Sequence, residues 1–202
     1  NGDRYGLQAE RLTVGEGFKP EIGFMRRSGF YRNFAQARFS PRPENSRVVR
    51  KYGFEANVDY ITDPHGTLET REVQGTFRVE LQSGDIWSND ISRNYELIVT
   101  PFRVAPGVVV APGGYPFAEY RTNYSLAPHH TVSGDVNFAR GSFYDGDRTE
   151  IGYNGRLNFS SRIGIEPRVS VNWIDLPSGQ FTTKLVSTRV NLLMSPRMAL
   201  TT

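Results

Sequence analysis

The chain has 202 residues, a formal net charge of +3 and no cysteine, which excludes a disulfide framework and any cysteine-ligated metal or cluster. Acids and bases are interspersed, so no basic block marks a nucleic-acid partner. Hydrophobic residues make up 38% and mean hydropathy is −0.47. No segment reaches the roughly 18 apolar residues of a spanning helix, whereas a β-barrel, half of whose strand residues face a polar lumen, has this kind of average.

Residues 5–14 place Tyr5, Leu7 and Ala9 on one face and Gln8 and Glu10 on the other, the period of two that marks a strand. Residues 15–29 read as a long glycine-punctuated loop with Phe18, Phe24 and Met25 folded into it. In residues 31–39, Ala35, Ala37 and Phe39 oppose Arg32, Gln36 and Arg38. Ser40-Pro41-Arg42-Pro43 ends that strand, because proline cannot donate to a ladder. Residues 48–61 then alternate Val48, Tyr52, Phe54, Ala56, Val58 and Tyr60 with Lys51, Glu55, Asn57 and Asp59, broken by Arg50. This is about twice the usual strand of five or six residues, and long enough for the 9–11 that cross a bilayer.

Asp63-Pro64-His65-Gly66 turns the chain into residues 67–82, where Val73, Phe77, Val79 and Leu81 oppose Gln74, Thr76, Arg78 and Glu80. After Ser83-Gly84-Asp85, residues 86–100 set Trp87, Ile91, Tyr95, Leu97 and Val99 against Ser88, Asp90, Ser92, Asn94 and Glu96. Arg93 falls on the apolar side, which suits a headgroup level or a bulge. Residues 101–116 are too broken by proline and glycine for a strand of the series. They carry the apolar run Val108-Val109-Val110, as a lumen plug, a receptor loop or an ordinary rim loop would.

The alternation resumes in residues 117–126, with Tyr120, Tyr124 and Leu126 against Glu119, Arg121, Asn123 and Ser125. In residues 131–140, Val132, Val136 and Phe138 oppose Ser133, Asp135 and Asn137, and Asp145-Gly146 is a hairpin signal. Residues 149–159 set Ile151, Tyr153, Leu157 and Phe159 against Glu150, Asn154, Arg156 and Asn158. Residues 163–173 set Ile163, Ile165, Val169, Val171 and Trp173 against Glu166, Arg168, Ser170 and Asn172. Residues 181–194 set Val186, Thr188, Val190 and Leu192 against Ser187, Arg189 and Asn191, and Met198 and Leu200 begin another alternation.

Short connections (82–85, 127–129, 160–162, 195–197) alternate with longer ones (15–29, 101–116, 141–147), as periplasmic turns alternate with extracellular loops. Residues 40–47 are long for their side, and 63–66 and 176–179 short for theirs. The expected fold is all-β: a fragment of an antiparallel up-and-down transmembrane barrel of about eleven readable strands. It forms a single domain over residues 1–202, incomplete at both ends and part of a longer polypeptide. Tyr52, Phe54, Val58, Tyr60, Phe77, Trp87, Tyr95, Tyr120, Phe138, Tyr153, Phe159 and Trp173 are assigned to lipid. Lys51, Glu55, Asn57, Asp59, Arg78, Glu80, Asp90, Glu96, Glu119, Arg121, Asp135, Glu150, Arg156, Arg168 and Arg189 are assigned to the lumen. A soluble β-sandwich, its alternation facing a core, is the competing reading.

Seven strings carry a family resemblance: Arg4-Tyr5-Gly6-Leu7, Pro20-Glu21-Ile22-Gly23-Phe24, Arg38-Phe39-Ser40-Pro41-Arg42-Pro43, Val58-Asp59-Tyr60-Ile61-Thr62, Arg93-Asn94-Tyr95-Glu96, Arg140-Gly141-Ser142-Phe143-Tyr144 and Val171-Asn172-Trp173-Ile174-Asp175-Leu176-Pro177. Together, over essentially the whole chain, they resemble the C-terminal outer-membrane barrel domain of unknown function that often follows a family-9-type carbohydrate-binding module in Gram-negative bacteria. The resemblance implies an outer-membrane location. It brings no catalytic residues, and the carbohydrate-binding module itself is outside this sequence.

The chemistry-bearing residues are few. His129-His130 adjoins a proline turn and reads as a solvated turn rather than half of a metal site, since His65 belongs to the opposite set of connections. Gly134-Asp135-Val136 and Asp145-Gly146-Asp147 lack the rest of a calcium loop. No nucleophile elbow or phosphate loop is present, and no cofactor is called for. A carboxylate pair among Glu55, Asp59, Glu80, Asp90, Glu96, Glu119, Asp135 and Glu150 is the one enzymatic reading, a barrel-borne hydrolase. The adopted reading is that they pair with Lys51, Arg78, Arg121, Arg156, Arg168 and Arg189. Two functions follow: a pore or transport barrel passing or binding a small solute or oligosaccharide, or an anchor displaying a soluble module. Both have outer-membrane lipid as the partner.

Overall fold

The computed structural model describes residues 2–19, 28–160, 163–195 and 198–201. Thirteen strands follow one another: β1 (Tyr5–Val14), β2 (Phe30–Phe39), β3 (Val49–Thr62), β4 (Leu68–Leu81), β5 (Ile86–Ile98), β6 (Phe102–Ala105), β7 (Val108–Val110), β8 (Gly113–Leu126), β9 (Val132–Phe143), β10 (Gly146–Asn158), β11 (Ile163–Leu176), β12 (Gly179–Ser195) and β13 (Met198–Thr201). All but β6 and β7 join one eleven-stranded sheet in chain order, every neighbour antiparallel. The protein is all-β and up-and-down, with β6 and β7 as a separate hairpin. β1 and β13 stand at the two edges of the sheet, and among the described residues no ladder joins them.

The register turns the alternation of single strands into two continuous faces. Tyr5, Phe39, Phe54, Phe77, Asn89, Thr122, Phe138, Ile151, Val171 and Lys184 lie side by side in one row. The row on the opposite face is Gly6, Arg38, Glu55, Thr76, Asp90, Arg121, Ala139, Glu150, Asn172 and Thr183. Rings meet along the first row, Tyr5 stacked on Phe39 and Phe54 tilted against Phe77, each pair at 5.1 Å between centroids. Edge and stacked pairs of this kind each add about 0.5–1.5 kcal/mol beyond area burial.

The sheet is one layer and has almost no dry core. Among the described residues the buried apolar side chains are Val79, Val108, Val110, Ala127, Ala139 and Leu176, while Phe54, Val73, Ile91, Tyr120, Val136 and Ile151 stand exposed. The accessible surface is 13630 Å². A compact monomer of this mass exposes about 9,600 Å².

Several sequence expectations are corrected. Residues 113–116 belong to β8, and residues 101–112 hold the β6–β7 hairpin rather than an irregular loop. Pro116 is tolerated because β8 pairs with β9 only from Glu119 onward. Its missing N–H therefore faces an unpaired side, as proline in a sheet requires. The β9–β10 connection is the two-residue turn Tyr144-Asp145, with Phe143 opposite Gly146, and not a loop over 141–147. The β11–β12 connection is equally tight, with Leu176 opposite Gly179. The loop end of the sheet therefore loses one of its expected longer connections, and the β6–β7 segment 99–112 stands out among the described residues. The ladders on both sides of Arg93 run without a register shift, so no bulge explains it. Phe18 is exposed rather than folded into its loop. Phe24 and Met25 lie outside the described residues.

Candidate functional site: the polar face and its loop-end cover

The register puts Lys51, Glu55, Asn57, Asp59, Arg78, Glu80, Asp90, Glu96, Glu119, Arg121, Asp135, Glu150, Arg156, Arg168 and Arg189 on one face of the sheet. Tyr52, Phe54, Val58, Tyr60, Phe77, Trp87, Tyr95, Tyr120, Phe138, Tyr153 and Trp173 lie on the other. Phe159 falls just past the end of β10 and is exposed. The apolar face also carries Arg71, Arg93 and Arg140 in its loop-side half.

The densest charge cluster on the polar face spans three strands. Glu119 and Arg121 come from β8, and Arg148 and Glu150 from β10. Arg121 meets Glu119 at 3.0 Å and Glu150 at 3.6 Å, and Arg148 also pairs with Glu119. These side chains reach one another over β9 because β9 offers only Gly141 and Ala139 opposite them. At Gly141 a Cβ would lie against Glu119 Cβ at 2.9 Å and against the backbone of Ala118 and Glu119, so glycine is required there. The quartet is self-neutral: two carboxylates and two guanidiniums satisfy each other.

Elsewhere the carboxylates choose partners the sequence did not single out. Arg32 donates to Asp59 at 2.8 Å, Gln36 to Glu55 at 2.6 Å, and Asn191 to Glu166 at 2.9 Å. Gln74 donates to Asp90 at 3.0 Å, with Thr76 as a second donor. Glu80 pairs with Arg50 at 2.9 Å. Arg189 pairs with Glu166 at 3.7 Å and Lys51 with Asp3 at 4.0 Å, but Arg78, Arg156 and Arg168 make no ion pair among the described residues, Arg168 donating to Asn154 instead, which corrects the pairing expected for them. A cleft lined by Arg38, Lys51, Gly53, Arg78, Glu80 and Asp90, about 350 Å³ in volume, opens on this face near the short turns.

Two constellations were invisible in the sequence. The first ties the β4–β5 turn to the β8–β9 turn. Buried Asp85 accepts from the Ala127 N–H at 2.8 Å, from Ser83 at 2.9 Å, and lies 2.9 Å from His130 Nε2. The Ala127 amide, with Ser83 and His130, holds the Asp85 carboxyl below the ordinary carboxylate range. The His129 ring lies tilted against His130, 4.2 Å between centroids. The pair thus serves a turn clamp, and among the described residues no group of three or more His, Asp or Glu has metal-holding geometry.

The second is an aromatic cluster at the loop end. Tyr144, at φ +55°, sits in the left-handed region that non-glycine residues rarely adopt. Its ring meets Phe102 at 5.5 Å, Tyr115 at 5.4 Å, Phe117 at 6.1 Å and Phe143 at 4.7 Å. Burial, then the nearby Glu96 charge, pushes the Tyr144 hydroxyl up from its ordinary value. Tyr115, Phe117 and Phe143 occupy polar-face positions, so the charged face turns apolar in its last rows. Only the hairpin explains this, and a period-of-two reading has no means of locating it.

No family model, no curated protein and no solved structure matches the chain.

Proposed function

We propose that the chain is a wall segment of a Gram-negative outer-membrane barrel, whose polar face lines a passage or binding cavity for a small solute or oligosaccharide. The observation that carries this reading is the uncovered apolar face. A single sheet with stacked rings and exposed aliphatics on one side, and about 4,000 Å² more surface than a compact monomer of this mass, needs an apolar solvent. Lipid supplies one, and strand lengths of 10 to 17 residues in the main series before β13 suit the crossing. An unpaired edge is not tolerated in hydrocarbon, so in this reading the edges of β1 and β13 are paired in the folded membrane form.

A second reading, a membrane anchor displaying a soluble carbohydrate-binding module, is favoured by the self-neutral quartet and the covered loop end, which leave little open charge for a solute at that end of the polar face. The family resemblance of the seven strings supports both readings equally. The test is folding into lipid vesicles, followed by gel migration with and without heating and by planar-bilayer recording. Heat-modifiable migration with unitary currents supports the pore. Heat-modifiable migration without current supports the anchor. A chain that stays monodisperse in water without detergent and does not shift on heating refutes both.

A further inference from the structure

The geometry points to the β6–β7 hairpin as an inward strap that covers the charge quartet and sets access to it from the loop end. This rests on the barrel reading for its consequence, but its seating can be tested without it.

Three independent observations place the hairpin over the polar face. The first is burial. Val108 and Val110 are 5% and 3% exposed, among the most buried of the described side chains, although they sit in a three-residue strand of a connecting segment. Val109 between them is 45% exposed. A loop standing in solvent would not bury alternate valines.

The second is reach. The hairpin leaves the sheet between β5 and β8, yet Val108 Cγ2 lies 3.2 Å from where a Cβ of Gly179 would be. Gly179 opens β12, on the far side of β9, β10 and β11. Its φ of +144° and its missing side chain leave the space that Val108 uses. The hairpin therefore crosses the ends of the intervening strands, with Phe102 resting on Tyr144.

The third is the seat itself. Gly179 and Leu176 are on the polar face by register, as are Tyr115, Phe117 and Phe143. Leu176 is buried there. One step further from the loop end lie Glu119, Gly141 and Arg148 in a single row, the edge of the quartet. The strap is thus held at the mouth by Phe102 on Tyr144 and Val108 at Gly179, beside apolar side chains that would otherwise have no place on a charged face. A hydrophobic constriction of this kind restricts the passage of water and ions as well as of larger solutes.

The chain has no cysteine, so single-cysteine variants of the full chain report cleanly. In the folded, heat-modifiable protein, a Val109→Cys thiol should react with a membrane-impermeant maleimide many times faster than a Val108→Cys or Val110→Cys thiol. Equal rates at the three positions overturn the seating. In planar bilayers, Val108→Asp should unseat the strap and raise unitary conductance severalfold over the unsubstituted chain, and Val109→Asp should leave it unchanged. Equal conductance for Val108→Asp and the unsubstituted chain, with heat-modifiability retained, overturns the access role while leaving the barrel reading intact. Loss of heat-modifiability in the unsubstituted chain would instead count against the barrel reading, and the maleimide comparison would still decide the seating.

Discussion

Replacing Asp85 tests whether the two short turns are held by a single buried carboxylate. Asp85→Ala orphans the Ala127 N–H, which is itself buried and donates to Asp85 at 2.8 Å. An unsatisfied buried donor costs about 1–3 kcal/mol. The lost bonds to Ser83 and His130, both partly open to water, add about 1 kcal/mol together. The expected total is about 2–4 kcal/mol. Asp85→Asn keeps an acceptor for the Ala127 amide and loses only the charge, so about 0.5–1.5 kcal/mol is expected. The pH dependence has a definite sign. The native carboxyl is held below its ordinary value, so the unfolded chain takes up the proton first on acidification. The contribution is complete above about pH 3.9 and drains away as pH falls from there through the lower native value. Urea unfolding followed by the fluorescence of Trp87, two residues along the chain, would read it at neutral and acid pH. An Ala variant within about 0.5 kcal/mol of the unsubstituted chain, or a deficit that does not shrink in acid, would refute the clamp.

Ile91, in the middle of β5 on the apolar face, is 63% exposed. Ile91→Arg should cost about 2–4 kcal/mol in urea unfolding from lipid vesicles; an effect within about 0.5 kcal/mol, normal for a water-exposed site, would count against lipid contact. Gly141→Leu should destabilise by at least about 1–3 kcal/mol, because the Ala118 and Glu119 backbone fills the space, and should break the quartet. Gly75, with nothing near its missing Cβ, should accept alanine with a gain of about 0.4–1 kcal/mol. The same unfolding series checks both, and equal effects at the two glycines would contradict the packing described.

Most of the sheet was legible because its signal is local. A period of two in residues 48–61 or 163–173 locates β3 and β11 to within a few residues, and a one-residue slip would invert every face. The failures occur where nonlocal contacts outvote local chemistry. Gly113-Gly114 and Pro116 read as too broken for a strand, yet they continue β8, because β5 lies beside them and Tyr95 fills the space over Gly114. Tyr144 holds a turn position suited to glycine or asparagine because four rings surround it. Three of the quartet were visible: Glu119, Arg121 and Glu150 were on the polar face from alternation alone. Arg148, and the small residues of β9 that let them meet, emerged only from the register. Asp85 and His130 are 45 residues apart, a separation that no motif spans.

The central claim, that the apolar face meets lipid, is tested most directly through the only two tryptophans. Trp87 and Trp173 both lie on that face, 42% and 44% exposed, one near the short turns and one near the loops. In vesicles of lipids brominated on the acyl chains, the fluorescence of both should be strongly quenched, with little quenching by aqueous iodide. Iodide quenching without bromine quenching would contradict the account, because it would place the face in water.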